Sequence, residues 1–203
     1  FISEYLPEMR YSRGGRKVLR AVEAAVDPNR AMREAETEFE RSPTAANRAA
    51  LAAALSAAGR YDEAIKHYDE CASGSYAKDV HFVRSLAATN LLAERWSAAR
   101  ASYERLFALG KDARQPDDDL GYAFALARLG DGSADAAFQH AVTTANGPVA
   151  RCRYAQYLDE SGRRREAREL YEQVVKEGRL APAHTRDLHK AWYRLAADAL
   201  KAP

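Results

Sequence analysis

Five histidines and two cysteines are the side chains of this sequence best suited to bind a metal ion or to act as nucleophiles. They are His67, His81, His140, His184 and His189, with Cys71 and Cys152. His184 and His189 are five residues apart, so they do not share a helix face as zinc ligands at positions i and i+4 do. The cysteines are far apart and match no metal-binding or redox spacing, and we interpret them as small buried hydrophobic residues. The sequence therefore predicts no metal site and no cofactor.

Motifs that mark a catalytic nucleophile or a bound phosphate are missing from the sequence. It has no nucleophile-elbow motif, and Gly14-Gly15 lacks the further glycine and the Lys-Ser/Thr pair of a phosphate-binding loop. We therefore expect a protein that is not an enzyme.

Four arginines cluster near the C-terminal end, where they raise the question of nucleic-acid binding: Arg163, Arg164, Arg165 and Arg168. A nucleic-acid site would need stacking aromatic residues and a wider basic stripe. Glutamates are interspersed instead, namely Glu160, Glu166 and Glu169. The cluster is typical of a solvated turn with salt bridges, and a formal net charge of +2 gives no field that demands a polyanion. We expect no nucleic-acid partner.

The composition is that of a helical protein. Ala, Leu, Glu and Arg are abundant, no long β-branched run occurs, and the prolines mostly fall where helices would begin or end. With 203 residues the chain is long enough for one elongated domain or two small ones. Internal repeats distinguish one helical fold from another.

One ten-residue segment, 59–68, has the features of a tight turn between two packed helices. Gly59 can end the first helix by adopting a left-handed backbone angle. Tyr61 can pack across the turn, and Ala64 is small where the two helices cross closely. Tyr68, four residues further on, fills the gap against the next pair of helices. The segment therefore predicts a pair of antiparallel helices.

The same spacing recurs along the chain. The second repeat has Glu94, Trp96, Ala99 and Tyr103. The fourth has Gly162, Arg164, Ala167 and Tyr171. Ala99 and Ala167 are 68 residues apart, which is two repeats of 34, so a third repeat must lie between them. Its residues are Gly130, Ala134 and Phe138. Glu94 thus replaces the turn glycine in the second repeat, and the third repeat fits only with a one-residue slip in its turn.

This pattern resembles that of tetratricopeptide repeat (TPR) proteins, over residues 44–180. The resemblance implies an all-α fold, in which about four antiparallel helix pairs stack into a right-handed α-α superhelix. A degenerate leading helix pair is expected at 16–43, and a C-terminal capping helix at 181–203. The inner faces of these flanking helices are expected to carry Ala31, Ala35 and Phe39 at the N-terminal end, and Leu188, Trp192, Leu195 and Leu200 at the C-terminal end.

Residues 1–15 are expected to be an extended N-terminal or juxtamembrane segment. An aromatic and apolar stretch, too short to span a bilayer, is followed at once by Arg10, Arg13, Arg16, Lys17 and Arg20. Aromatic residues before basic ones are typical of the cytoplasmic edge of a membrane span, and a frayed terminus before a helix is the alternative. Segment 6–16 also resembles the junction in uncharacterised bacterial TPR proteins that have an N-terminal membrane segment. That resemblance implies a cytoplasmic domain at the inner face of a bacterial cell membrane, tethered through a segment upstream of Phe1.

In TPR proteins the first helices of the pairs line a concave groove that binds extended or helical peptides. The repeat spacing assigns to this groove His81, Arg84, Leu91, Phe124, Arg128 and Gln156. An aromatic residue between two arginines suits a peptide with an apolar anchor and acidic neighbours. For Phe124, a place in the core is the alternative.

The function that the resemblance implies is that of a protein-interaction scaffold, which binds a protein or peptide partner in the groove. Two alternatives remain open at this point. The chain is a homo-oligomeric structural module, such as a homodimer joined through exposed terminal faces, or it is the regulatory domain of a larger protein with a catalytic part elsewhere.

Overall fold

The computed structural model describes residues 29–145 and 147–201. Within these residues the secondary structure is helical throughout, with eleven α-helices and no strand. The helices are α1 Arg30–Arg41, α2 Ala45–Ala57, α3 Tyr61–Cys71, α4 Val80–Leu92, α5 Trp96–Ala108, α6 Pro116–Arg128, α7 Ala134–Thr144, α8 Pro148–Glu160, α9 Arg164–Leu180, α10 Ala183–Leu188 and α11 Lys190–Ala199. The predicted all-α class is confirmed.

The chain divides into two compact units between Arg114 and Gln115. The first unit contains α1 to α5, in which α2 packs against α3 and α4 packs against α5. The second contains α6 to α11, in which α6 packs against α7 and α8 packs against α9. Each unit therefore holds two of the four predicted helix pairs.

Helix starts follow the local signals in the sequence. Thr44 caps α2, because its Oγ1 accepts a hydrogen bond of 3.2 Å from the backbone N–H of Asn47. At α6, Asp118 Oδ2 accepts a bond of 2.9 Å from the backbone N–H of Gln115, which completes a capping box beside Pro116. Pro148 occupies the first position of α8, where its missing N–H costs no hydrogen bond.

All four turns within the helix pairs begin with the same backbone geometry. The second residue after the first helix has a positive φ in each case: +79° at Gly59, +58° at Glu94, +66° at Gly130 and +77° at Gly162. The next backbone N–H then bonds the carbonyl five residues earlier, as in Arg60 to Leu55 at 2.9 Å. The predicted turn positions are confirmed, including Glu94 in the place of a glycine.

The repeat spacing also identifies the core. The four turn-following alanines, Ala64, Ala99, Ala134 and Ala167, are at most 1% exposed. The aromatic residues four positions later, Tyr68, Tyr103, Phe138 and Tyr171, are at most 5% exposed. Small residues at these positions let the two helices of a pair approach. Phe138 of the third pair stacks on Tyr154 and Tyr157 of the fourth, with ring centroids 5.7 and 4.9 Å apart.

The third turn differs from the others, as its one-residue slip predicts. Asp131 accepts hydrogen bonds from the backbone N–H of Ser133 at 2.8 Å and from its hydroxyl at 2.6 Å. This local structure delays α7, so Ala134 is its first residue, whereas Ala64 is the fourth residue of α3. The segment between the two helices is longer in this pair, but the buried Ala134 and Phe138 keep the four-residue spacing of the other repeats.

The first described helix deviates from the prediction in one residue. Met32, Ala35 and Phe39 of α1 pack on the cluster of Leu51, Leu55 and Ala64. The predicted Ala31 is exposed instead, because Met32 takes the inner face with its longer side chain. Segments 1–15 and 16–28 lie outside the described residues.

The predicted capping segment forms two helices that meet at His189 rather than one continuous helix. Trp192 is 4% exposed, as expected of a capping residue, whereas Leu188 is 66% exposed. The break at His189 interrupts the helical periodicity, so Leu188 does not share the buried face of Trp192. The expected inward position of Leu188 is therefore wrong. None of the described helices is long and apolar enough to cross a membrane.

Two alanines of α5 offer a matched test of the helix crossing. Ala99 is fully buried, and Ala101 on the same helix is exposed. We expect Ala99→Leu to lower the free energy of unfolding by about 1–3 kcal/mol, because the larger side chain forces the helices apart. Ala101→Leu should change it by less than about 0.5 kcal/mol. Chemical denaturation of both variants measures the difference, and equal stabilities would contradict the crossing.

Glu94 is the one non-glycine residue with a positive φ in the described part of the chain. A side chain in this conformation is strained by about 1–3 kcal/mol, whereas glycine carries an extra entropic cost of about 0.5–1 kcal/mol. We therefore expect Glu94→Gly to stabilise the protein and raise its melting temperature. Gly59→Glu, the reverse change at the equivalent turn, should lower it. A Glu94→Gly variant that melts below the parent would show that Glu94 makes a compensating contact.

Candidate partner-binding surface

The first unit carries three of the six predicted groove residues, all on α4. His81 is exposed and Arg84 is half-buried. The Arg84 guanidinium donates a hydrogen bond to the backbone carbonyl of Ala113, and so helps to hold the 3₁₀ turn at Lys111–Ala113. Leu91 is only 2% exposed, so a partner would reach little of its side chain. His81 is thus the most accessible of the three.

The second unit carries Phe124 and Arg128 on α6 and Gln156 on α8. Arg128 is exposed, and the other two are half-buried. Gln156 accepts a hydrogen bond of 3.0 Å from the Arg153 guanidinium, which itself lies 4.6 Å above the ring of Trp192. Gln156 is therefore oriented by a neighbouring side chain on its own helix.

Phe124 and Gln156 occupy equivalent positions of their repeats. Each precedes by two residues the leucine whose carbonyl closes the following turn, Leu126 or Leu158. Ala53 and Ala88 hold this position in the first two repeats, where Ala53 is exposed and Ala88 is half-buried. This position is at least partly accessible in every repeat, and its side chain changes from methyl to aromatic to amide along the sequence.

The residues suited to metal or nucleophilic chemistry are dispersed over the structure. In the residues described, no group of three His, Cys, Asp or Glu side chains could hold a metal ion. Cys71 and Cys152 are 2% and 0% exposed, as predicted. His67 lies against Phe39, with ring centroids 5.8 Å apart, and burial together with the nearby Arg48 lowers its pKa.

Salt bridges account for most of the arginine cluster at the fourth turn. Arg163 bonds Glu166 at 2.6 Å, and both Glu166 and Asp135 raise the pKa of Arg163. Two further arginines pair with glutamates one turn away on α9, Arg165 with Glu169 at 3.4 Å and Arg168 with Glu172 at 3.3 Å. The prediction of a solvated turn with salt bridges is confirmed.

Asp135 is a polar junction that sequence reasoning missed. Its carboxylate accepts hydrogen bonds from the Arg163 guanidinium at 2.6 Å, the Tyr154 hydroxyl at 2.9 Å and the Gln139 amide at 3.0 Å. Tyr154 is 7% exposed, burial raises its pKa, and its ring stacks on Phe138 with centroids 5.7 Å apart. This network joins the third helix pair to the fourth.

Asp62 is the counterpart of Asp135 in the first unit. Both are the second residue of the second helix in a pair, and both bind the arginine that follows the turn of the next pair. Asp62 bonds Arg95 at 2.8 Å, but its side chain is 75% exposed, against 30% for Asp135. The sequence did contain a signal for these ion pairs. It is an acidic second residue in the second helix of one pair, together with an arginine directly after the turn of the next pair.

Comparison with solved structures identifies the fold. TTC0263, a thermophilic TPR protein from Thermus thermophilus, matches 92% of this chain and 97% of its own at 17% identity, with a TM-score of 0.65. MamA matches 72% of this chain and 85% of its own at 15% identity, with a TM-score of 0.61. The chain has the TPR fold. YrrB, a TPR protein described as having an unusual peptide-binding site, matches 82% of this chain and 92% of its own at 18% identity, with a TM-score of 0.57.

Similarity at the level of sequence is much weaker. No protein-family model matches this chain, and no curated protein matches it by sequence. The TPR fold is therefore carried here by helix-pair geometry rather than by a close copy of a known sequence.

Asp62 and Asp135, each paired with the arginine that follows the next turn, allow a controlled test of the Asp135 network. Asp135→Ala leaves the buried Tyr154 hydroxyl without its charged acceptor, and we expect a loss of about 1–3 kcal/mol in the free energy of unfolding. Asp62→Ala removes one exposed ion pair at the same position of its helix, and should cost less than about 1 kcal/mol. Urea denaturation of the two variants measures both losses. A cost for Asp62→Ala equal to that of Asp135→Ala would contradict the structural role of the network.

Proposed function

We propose that this protein is an interaction scaffold, in which the first helices of the TPR-fold pairs bind a peptide or protein partner and no chemistry takes place. The observation that carries the proposal is the fold itself. It is shared over most of the chain with TPR proteins, among them YrrB, which is described as having a peptide-binding site. A set of packed helices presents a preformed surface, which lowers the entropic cost of binding.

The proposed binding residues are His81 and Arg84 in the first unit, and Phe124, Arg128 and Gln156 in the second. Support comes from their accessibility, since His81 and Arg128 are exposed and the other three are half-buried. Aromatic and arginine side chains contribute most to the energy of protein interfaces. Leu91 is left out of the surface because it is buried. The partner that suits Phe124 and Arg128 of the second unit is a peptide with an apolar or aromatic anchor and an acidic residue beside it.

Chemistry that would suggest an enzyme has no support in the described residues. The polar groups with many bonds, above all Asp135 and Arg163, hold one helix pair to the next. They are therefore assigned to the framework of the scaffold. The membrane tether inferred from the basic residues of segment 1–28 lies outside the described residues and stays a prediction.

The binding test uses a random-sequence peptide library displayed on phage, selected against the full chain. Selected peptides should bind Phe124→Ala and Arg128→Ala at least tenfold more weakly than the parent, since loss of an interface anchor costs more than about 1.4 kcal/mol. The control is Arg165→Ala, which removes the same charge from a side chain that is 93% exposed on a second helix. Melting temperatures separate a lost contact from a lost fold.

Two outcomes would contradict the proposed surface. One is a set of peptides that bind the Phe124 and Arg128 variants as well as they bind the parent. The other is an equal loss of binding with Arg165→Ala, which would indicate attraction to positive charge in general rather than recognition by the first helices.

A further inference from the structure

The C-terminal helices α10 and α11 present an apolar surface to solvent. Leu188 is 66% exposed, Ala191 is exposed, and Leu195 is half-buried. These three side chains line an open cavity of about 550 Å³. The surface lies on well-formed helices, so its exposure belongs to the folded protein.

The opposite face of α11 is tightly packed. Trp192 is 4% and Ala196 0% exposed. A Cβ atom added to Gly178 of α9 would lie 2.8 Å from the ring of Tyr193, so the two helices meet as closely as a glycine allows. Because α11 is fixed by these contacts, its outer face is a preformed surface for docking.

Helix α11 occupies the place of a first helix in a further pair. It contacts both α9 and α8, as α4 contacts both α3 and α2 in the first unit. Each of the four complete pairs covers its first helix with an antiparallel second helix. In the part of the chain that the structure describes, the outer face of α11 remains exposed at Ala191 and Arg194. An antiparallel helix with small and apolar residues is the element that fits this face.

Charged residues around the cavity favour a second copy of the same chain as the source of that helix. The cavity is lined by two carboxylates, Asp187 and Asp198, and by two cations, Lys190 and Arg194. Their formal charges cancel, so two copies are not repelled, and a two-fold rotation can set the carboxylates of one copy against the cations of the other. Asp198 is paired within its own copy with Arg194 at 3.6 Å and with Lys201 at 2.9 Å, and both pairs are largely exposed, so they can rearrange at little cost.

We propose that the outer face of α10 and α11 joins two copies of this chain in a two-fold symmetric homodimer. In the dimer, α11 of each copy packs antiparallel against α11 of the other and covers Leu188, Ala191 and Leu195. The contact is isologous and closes on itself, so assembly stops at two copies. The dimer contact shares no residue with the proposed peptide-binding surface, so either proposal can fail while the other stands.

Sedimentation velocity of the full chain over a range of concentrations tests the dimer. The parent should sediment with twice its 22.5 kDa chain mass at the upper concentrations. Leu188→Lys should sediment as a monomer at every concentration. Its melting temperature should equal that of the parent at concentrations where the parent is itself monomeric, because the side chain is already exposed. Leu129→Lys, at a leucine that is 38% exposed outside the cavity, should remain dimeric. A parent that is monomeric throughout, or a dimer that survives Leu188→Lys, would overturn the proposal.

Charge reversal gives a second test that does not depend on Leu188. Lys190→Glu/Arg194→Glu and Asp187→Lys/Asp198→Lys each leave only one sign of charge at the rim, and each variant alone should be monomeric. Mixed together, the two variants should form a heterodimer, since opposite charges then face each other. Mixing that yields only monomers, or a charge variant that dimerises alone as well as the parent does, would refute the two-fold arrangement.

Discussion

Close approach of two helices at a buried alanine is the constraint on which the rest of this structure depends. Ala64, Ala99, Ala134 and Ala167 are each at most 1% exposed, and each follows a turn whose residue has a left-handed backbone. The turn reverses the chain within a few residues, and the small side chain then lets the second helix pack against the first. In the second unit the aromatic residue one turn later, Phe138, fills the space to the next pair. Four such pairs, two in each unit, build the framework.

Sequence spacing predicted these features because each requires a particular residue type at a particular place. A buried crossing requires a small side chain, and a left-handed turn favours glycine strongly enough to be recognised in three of the four repeats. Glu94 shows that the backbone geometry is kept when the preferred residue is absent. The spacing still identified Glu94 as the turn residue, because Ala99 and Tyr103 follow it at the same intervals as Ala64 and Tyr68 follow Gly59.

The features that the sequence did not predict depend on side-chain direction and on distant contacts. Leu91 was assigned to an accessible surface and is buried, since the spacing of a helix fixes a position only to within part of a turn. Leu188 was expected inside, but the break at His189 turns it outward. The Asp135 network joins residues up to 28 positions apart, and no local pattern shows that they meet. For the candidate site, the sequence correctly predicted which helices carry the residues. It predicted less well which of those side chains are exposed.

The arginines of this protein have two different roles. Arg95 and Arg163 follow their turns and bind aspartates of the preceding pair, so they stabilise the stacking of pairs. Arg128 lies on a first helix instead, where its side chain is exposed. The proposed partner-binding surface includes Arg128 together with the half-buried aromatic ring of Phe124. Recognition by this surface needs no change in the framework, because the helices that carry it are fixed by contacts on their other faces.

The central claim is that a partner binds the first helices, and hydroxyl-radical footprinting of the full chain tests it most directly. The measurement compares the oxidation of each aromatic and histidine side chain with and without a saturating peptide selected for binding. We predict protection of Phe124 on α6, with no change at His140 on α7 or His184 on α10. Protection of His140 or His184, with Phe124 oxidised as in the free protein, would contradict the claim.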